Sequence, residues 1–319
     1  MEGLAQHQEN MQSVKANIQK VIVGKAGVID LVLTALTAGG HILLEDVPGT
    51  GKTMLAKTLA RSIQAEFARI QFTPDLMPSD VTGLNYFNQK QGEFVFRKGP
   101  VFANIVLGDE INRATPRTQS SLLECMEERQ VTIDGQTRPV GNPFFVIATQ
   151  NPVETAGTFP LPEAQLDRFL MQIDMGLPDA AQELQILNRF IHDNPLEEME
   201  PVMNLEELRM LSRSCREIYI HPSLMEYIVA LVQATRADKR ALMGVSPRGT
   251  LALLRAVQAY AMLQGRDYAV PEDIKTLAVP VMAHRIVIAG GGLSSDKRRF
   301  IEQILAGVAV PSENWNAAR

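Results

Sequence analysis

Two closely spaced glycines followed by a lysine and a threonine make Val47-Pro48-Gly49-Thr50-Gly51-Lys52-Thr53-Met54 the stretch with the most legible chemistry in this chain. Glycines let a turn fold its backbone N–H groups around phosphate oxygens, and the positive end of a following helix adds to the attraction. In such a loop Lys52 reaches the β- and γ-phosphates of a nucleoside triphosphate, and the Thr53 hydroxyl is a ligand for Mg²⁺. The flanking residues fit: Ile42-Leu43-Leu44 reads as a buried strand, and Met54, Leu55 and Leu59 as one face of a helix. The full pattern, G-x-x-x-x-G-K-[ST], has Asp46 in place of its first glycine, while Gly51 before the lysine is kept. A turn that binds nothing has no need of Gly-x-Gly-Lys-Thr ahead of a helix.

A phosphate loop alone does not separate a kinase from a GTPase or an ATPase motor. The next element is Asn104-Ile105-Val106-Leu107-Gly108-Asp109-Glu110, an apolar strand ending in two acids. Such a strand delivers carboxylates to the carboxyl edge of a sheet, where open α/β sheets bind ligands. Asp109 can hold Mg²⁺ beside Thr53, and Glu110 can orient a water for in-line attack on the γ-phosphate. Phe144 to Pro152 forms a third element, a buried strand releasing Gln150 and Asn151, whose amides can bond water and phosphate. Leu161 to Phe169 contains Arg168, and Gly244 to Gly249 contains Arg248. A guanidinium near a helix end is suited to developing charge on a phosphoryl group, although a lone arginine is more often a surface ion-pair residue.

The elements that must position these groups follow from the same pattern. Phe67–Phe72, Ile105–Leu107, Phe144–Ala148 and Leu170–Ile173 join Ile42–Leu44 as strands separated by helical segments. That alternation predicts an α/β fold, a parallel sheet flanked by helices, and the Gly-Lys-Thr loop makes a P-loop NTPase sheet the expectation. Residues 1–40 read as helical around Val21-Ile22-Val23-Gly24, and Thr115-Pro116 marks a helix start with a hydroxyl at its cap. Two hairpins interrupt the alternation: Leu84–Phe87 with Phe94–Phe96, and Val131–Ile133 with Arg138–Val140 across Asp134-Gly135. After Leu177-Pro178 the chain turns all-helical, with capping boxes at Asp179/Gln182 and Asn204/Glu207 and an apolar face at Leu224, Tyr227, Ile228, Leu231 and Val232. The acidic run Asn194–Glu200 reads as a solvated connection. The expected division is an α/β nucleotide-binding core over 1–176 and a helical lid over 177–319.

Bulk properties narrow the function classes. With 319 residues, 31 basic against 36 acidic side chains and a net charge of −5, the chain carries no electrostatic footprint for general nucleic-acid or anionic-membrane binding. Its two cysteines, Cys125 and Cys215, match no metal-ligand spacing and read as buried apolar residues, and five scattered histidines give a protein metal site no support. The longest uncharged apolar stretch, Leu31–Leu44, is too short to span a bilayer, and no signal-peptide pattern opens the chain. A cytoplasmic location is the expectation.

In this order the elements resemble the AAA+ ATPases, and more closely the MoxR family within them. Asp109-Glu110-Ile111-Asn112-Arg113-Ala114, Thr118-Gln119-Ser120 and Met126 to Thr132 are similar to that family's central signature. Ala148 to Pro152, Pro160 to Ala164, Asp167-Arg168-Phe169 and Ser246-Pro247-Arg248 extend the likeness over nearly the whole chain. The resemblance implies ATP and Mg²⁺ as ligands. It makes Pro48 to Met54 the nucleotide loop, Thr53 and Asp109 the metal ligands, and Glu110 the water activator. It further implies Asn151 as a first sensor, Arg168 as a finger reaching a neighbouring subunit, Arg248 as a second sensor on the lid, and Val23 and Gly24 as the adenine-side segment. The hairpins resemble inserts that project towards a pore or substrate. A hexameric ring, protein clients and a partner with a von Willebrand factor A domain are implied in the same way, with chaperone-like remodelling as the work. A nucleic-acid motor shares this core and is the alternative, to be revived by a DNA- or RNA-stimulated rate; a regulatory scaffold without turnover would not need Glu110, Asn151, Arg168 and Arg248 together.

Overall fold

The computed structural model describes residues 2–45, 47, 49–151, 157–191 and 194–312. Helices α1 (Glu2–Gln19) and α2 (Ala26–Thr37) precede strand β1 (Ile42–Glu45), which leads into α3 (Lys52–Ser62) and β2 (Phe67–Gln71). A short α4 (Pro78–Thr82) opens the first hairpin, β3 (Gly83–Asn88) and β4 (Glu93–Lys98), before β5 (Ile105–Asp109). Then come α5 (Pro116–Glu128), the second hairpin β6 (Gln130–Ile133) and β7 (Gln136–Pro139), β8 (Phe145–Gln150), α6 (Glu163–Leu166) and β9 (Met171–Ile173). The lid part comprises α7 (Ala180–Phe190), α8 (Leu205–Ser214), α9 (Pro222–Ala237), α10 (Pro247–Leu263), α11 (Pro271–Met282) and α12 (Ser294–Gly307). It is not all-helical as expected: β10 (Ala241–Met243) and β11 (Val287–Ile288) pair antiparallel within it.

The five-stranded sheet has the order β2-β5-β8-β1-β9, and its pairings are all parallel. Each strand anticipated from its apolar run is present within a residue or two of its expected ends. Side chains alternate between faces with period two, and the core divides accordingly. Ile42, Leu44, Ile105, Leu107, Phe145 and Ile147 pack with α1–α3 and the lid helices, whereas Leu43, Val106, Val146 and Ala148 pack with α5. A sheet buried on both faces needs continuous apolar strands, which is what β1 and β8 supply. Because every strand runs the same way, Glu45, Gln71, Asp109, Gln150 and Ile173 all end at one edge.

Both anticipated capping boxes are formed: the Asp179 carboxylate accepts from Gln182 N–H at 2.8 Å, and the Asn204 side chain accepts from the N–H groups of Glu206 and Glu207. Two local expectations need correction. Thr115 occupies the cap of α5 ahead of Pro116, but its hydroxyl makes no cap bond and lies 3.3 Å from Thr118 Oγ1. Thr118 Oγ1 donates its own hydrogen to Leu76 O at 2.7 Å, leaving an acceptor that the Thr115 hydroxyl takes up. The run Asn194–Glu200 keeps Glu197, Glu198 and Glu200 exposed as expected, but it is docked through its backbone rather than free in solvent. Arg61 of α3 donates to the carbonyls of Glu197 and Met199, Asn17 donates to Glu200 O, and Met199 is buried. Backbone carbonyls make these contacts, so the acidic side chains gave no sign of them.

The hairpins touch each other. Asn85 Nδ2 donates to Asp134 Oδ2 at 2.7 Å, and the Arg138 guanidinium stands 4.2 Å from the centre of the Phe96 ring. Phe96 also meets Phe102 edge to face, while Tyr86, Phe87 and Phe94 remain exposed, Phe94 by 73 %.

A buried histidine at the start of β1 ties the sheet together. His41 Nδ1 accepts from Val146 N–H at 3.0 Å, so Nε2 carries the hydrogen donated to Met126 O at 3.2 Å. Burial, helped by the nearby Arg129 charge, pushes its pKa down to about 3, and burial holds His284 well below its usual value as well. Both are neutral in the fold but titrate near 6.5 once unfolded, so the unfolded chain binds more protons as pH falls. Stability is therefore complete above about pH 6.5 and should drop by about 1.4 kcal/mol per histidine per pH unit below it. Urea unfolding between pH 7.5 and 5 should show this decline, with His41→Gln removing about half of the slope. An unchanged slope in that variant would refute the assignment.

Candidate active site

The turn after β1 opens onto the carboxyl edge of the sheet. Gly49 and Gly51 have φ of +86° and +91°, a left-handed geometry that side chains resist, and Gly51 is the residue capping α3. With glycine at both places, the backbone can present its N–H groups to an anion at the positive end of α3. Lys52 Nζ lies 3.0 Å from Val47 O, and Thr50 Oγ1 lies 3.4 Å from the same carbonyl. Asp46, Pro48 and Pro152, which belong to the expected motifs, lie outside the described residues.

One cavity of about 520 Å³ is lined by Lys52, Thr53, Asp109, Glu110 and Asn151, with Gly49, Gly51 and Met54 completing its loop side. Thus the phosphate loop, the acid pair and the first sensor candidate converge, as the parallel sheet requires. Val23 and Gly24, the expected adenine-side residues, do not line this cavity: Val23 is buried, and the Gln182 side chain of α7 lies against Gly24 in the turn before α2.

The acids are held by partners that their own strand did not reveal. Thr149 donates its hydroxyl to Asp109 Oδ1 at 2.7 Å and accepts from Glu110 N–H at 2.8 Å. Glu110 itself has φ 57° and ψ 49°, a left-handed turn that costs a non-glycine residue roughly 1–2 kcal/mol. That turn swings its side chain out of the strand line. Arg69 donates to Asp109 Oδ2 and to Gln71 Oε1, both at 2.6 Å, and Gln71 in turn donates to Glu110 Oε2 at 2.9 Å. Arg113 adds an ion pair to Glu110 at 3.2 Å. Asp109, Arg69, Gln71 and Glu110 therefore form one chain of side chains across β2 and β5. Arg69 and Gln71 sit two residues apart, hence on one side of β2. Their polarity within an otherwise apolar strand was the available signal.

Arg168 and Arg248 are not brought into this cavity. Leu170 N–H donates to His41 O at 2.7 Å, which sets the Arg168 segment beside the beginning of β1. Arg248 pairs with Glu127 at 2.6 Å in the last turn of α5, at the same amino edge of the sheet. Four residues of strand, roughly 13 Å, separate that edge from the glycine turn. The Arg168 segment is clamped by Arg285, which sequence gave no reason to single out. Arg285 is buried, pairs with Asp167 at 2.7 Å and donates to the carbonyls of Phe169 and Leu170; Ser246 Oγ adds a bond to Asp167 at 3.0 Å.

Comparison with known proteins agrees with this architecture. Residues 41–171 match the ATPase family associated with various cellular activities (AAA), and residues 233–304 match an AAA lid domain. The Bacillus subtilis protein YeaC is 50 % identical over 299 residues, covering 92 % of this chain and 93 % of that one. Chaperone MoxR1 of Mycobacterium tuberculosis is 38 % identical, covering 98 % of this chain and 85 % of its own. The crystal structure of a candidate ATPase from Cytophaga hutchinsonii superposes with a TM-score of 0.90 at 41 % identity, over 98 % of each chain. Among the described residues, no helix is long and apolar enough to cross a membrane. A parallel sheet with its phosphate loop, acid pair and helical lid in this order, together with relatives of this identity and coverage, places the chain in the MoxR family of AAA+ ATPases.

Proposed function

We propose that the protein binds ATP at the carboxyl edge of its sheet and hydrolyses it with Mg²⁺. The observation that carries this is the single cavity shared by Lys52, Thr53, Asp109, Glu110 and Asn151. The Thr53 hydroxyl and the Asp109 carboxylate are hard oxygen donors on that cavity and suit a magnesium ion. When bound, such an ion would supply positive charge to offset that of the phosphates. Lys52 would leave Val47 O for the β- and γ-phosphates, and the amide of Asn151 would bond a γ-phosphate oxygen. Glu110 would orient the attacking water. For that to happen the Arg69–Asp109 pair must open, and the Gln71 bond to Glu110 loosens with it, since Arg69 joins the two.

The core is taken as residues 1–176 and the lid as 177–319. The amino-edge position of Arg168 fits a ring, a hexamer by resemblance to the family, in which this arginine serves a neighbour's nucleotide; Arg248, the second-sensor candidate, lies at the same edge. The energy would drive remodelling or maturation of protein complexes. The name of the mycobacterial relative, Chaperone MoxR1, favours this use, and the exposed Tyr86, Phe87 and Phe94 supply an apolar contact for a client. A von Willebrand factor A domain protein is the partner class that the resemblance suggests.

Phosphate release should require Mg²⁺, stop with EDTA and be indifferent to added DNA or RNA; strong nucleic-acid stimulation would favour the motor instead. Replacing Lys90–Glu93 by a Gly-Ser turn should leave basal ATPase and melting temperature unchanged. The same variant should lose the ability to suppress light scattering by heat-denatured citrate synthase. Full suppression by the variant would remove the hairpin from client binding, and early melting would make it structural.

A further inference from the structure

A second cavity, of about 550 Å³, lies at the opposite end of the sheet from the nucleotide loop, between the end of α2, the loop from β7 to β8, and the lid helix α8. Four arginines line it, Arg129, Arg209, Arg213 and Arg216, and among the described residues no Asp or Glu does. In a chain of net charge −5 this is a local reversal of sign.

The four are not equivalent. Arg129 is largely engaged by the fold, donating to Gly39 O and Phe144 O at 2.5 Å each. Arg209, Arg213 and Arg216 fall at i, i+4 and i+7, so α8 and the turn that continues it present them on one face. Leu208, Leu211 and Cys215 point the other way into the core. Arg209 pairs with Glu206 at 3.1 Å, yet its Nε is buried without a hydrogen-bond partner. None of the ion pairs among the described residues uses Arg213 or Arg216.

Like charges spaced by four on a helix repel one another, and a buried guanidinium N–H without an acceptor carries a desolvation cost. An anion in the cavity relieves both. We propose that this arginine cavity is a binding site for a small ligand carrying closely spaced phosphoryl groups, separate from the ATP site. Its volume is in the range of small-molecule sites, which favours a compact ligand over a length of acidic chain. Several guanidinium groups match the tetrahedrally spread oxygens of phosphate, each able to donate two parallel bonds. Pro139, Val140 and Pro143 form an apolar wall that would accept the organic body of a phosphorylated metabolite. Because its walls come from both the sheet end and α8, an occupied cavity would bind the lid to the core.

The probe is sodium tripolyphosphate, titrated calorimetrically in magnesium-free buffer into Lys52→Ala protein, so that the phosphate loop does not contribute. One ligand per chain is expected, with affinity that falls as salt rises and a melting temperature that climbs with ligand concentration. Arg213→Glu/Arg216→Glu in the same background should weaken binding at least tenfold. Should that charge reversal unfold the protein, Arg213→Gln/Arg216→Gln should weaken binding in the same direction. A sugar bisphosphate binding more tightly than tripolyphosphate would identify an organic phosphate as the source, and the reverse order a free polyphosphate. No binding by Lys52→Ala protein, binding untouched by the arginine variants, or tighter binding of a hexaglutamate peptide would overturn the proposal.

Discussion

Glu110→Gln should bind ATP as tightly as the parent while its hydrolysis falls roughly a hundredfold or more, the scale of losing a positioned water activator. The glutamine keeps the shape of the side chain and can still meet Arg113 and Gln71 through its carbonyl oxygen, so the left-handed turn at residue 110 is preserved. What is lost is the negative charge that draws a proton from water. Lys52→Ala should fail differently, losing ATP affinity itself by at least tenfold, because a cation leaves the phosphate site. Titration with fluorescent ATP and a phosphate-release assay separate the two outcomes. Normal hydrolysis by Glu110→Gln would show that another group activates the water, and Asp109 would become the first to test.

Mixing two inactive variants should restore activity. Arg168→Ala should bind ATP about as well as the parent yet lose most turnover, because in the proposed ring its guanidinium would act on charge that develops in the transition state. The cavity that holds Lys52 does not include Arg168, so within one chain this loss has no structural explanation. In a mixed ring of Arg168→Ala and Lys52→Ala protomers, some interfaces would join an intact phosphate loop to an intact finger, and part of the turnover should return. Arg248→Ala belongs in the same experiment, since Arg248 shares the amino edge through Glu127. Arg113 and Arg117 are the alternative fingers; Arg113 pairs with Glu110 of its own chain, which argues for a role in cis. Co-assembly without recovery, or full activity of Arg168→Ala, would end the trans-acting role of Arg168.

Much of this was legible in sequence because it rests on local rules. The sheet strands announce themselves by apolar runs, and a parallel sheet forces their polar ends, Lys52 with its loop, Asp109-Glu110 and Asn151, to one edge. Contacts between elements distant in sequence were not legible. Arg69 and Gln71 reach the acids from a neighbouring strand, and Thr149 fixes them from another, pairings that depend on strand order and register. Arg285 looks like any basic residue after a helix, and only its burial against Asp167 shows otherwise. The run Asn194–Glu200 misleads for a related reason, since its carbonyls do the docking while its charges suggest solvent.

The Arg285 clamp makes the lid and the Arg168 segment one mechanical part. A buried guanidinium bonded to the Asp167 carboxylate and to successive carbonyls leaves residues 167–170 little freedom to stay behind when the end of α11 moves. At the other end of the same lid, the Gln182 side chain of α7 lies against Gly24 in the turn before α2. In the proposed ring, a shift imposed on the lid by ATP in one protomer would be delivered, with little slack, to the arginine it would offer the next. Such a linkage favours firing in sequence around a ring over independent firing, with timing set by the stiffness of one buried ion pair.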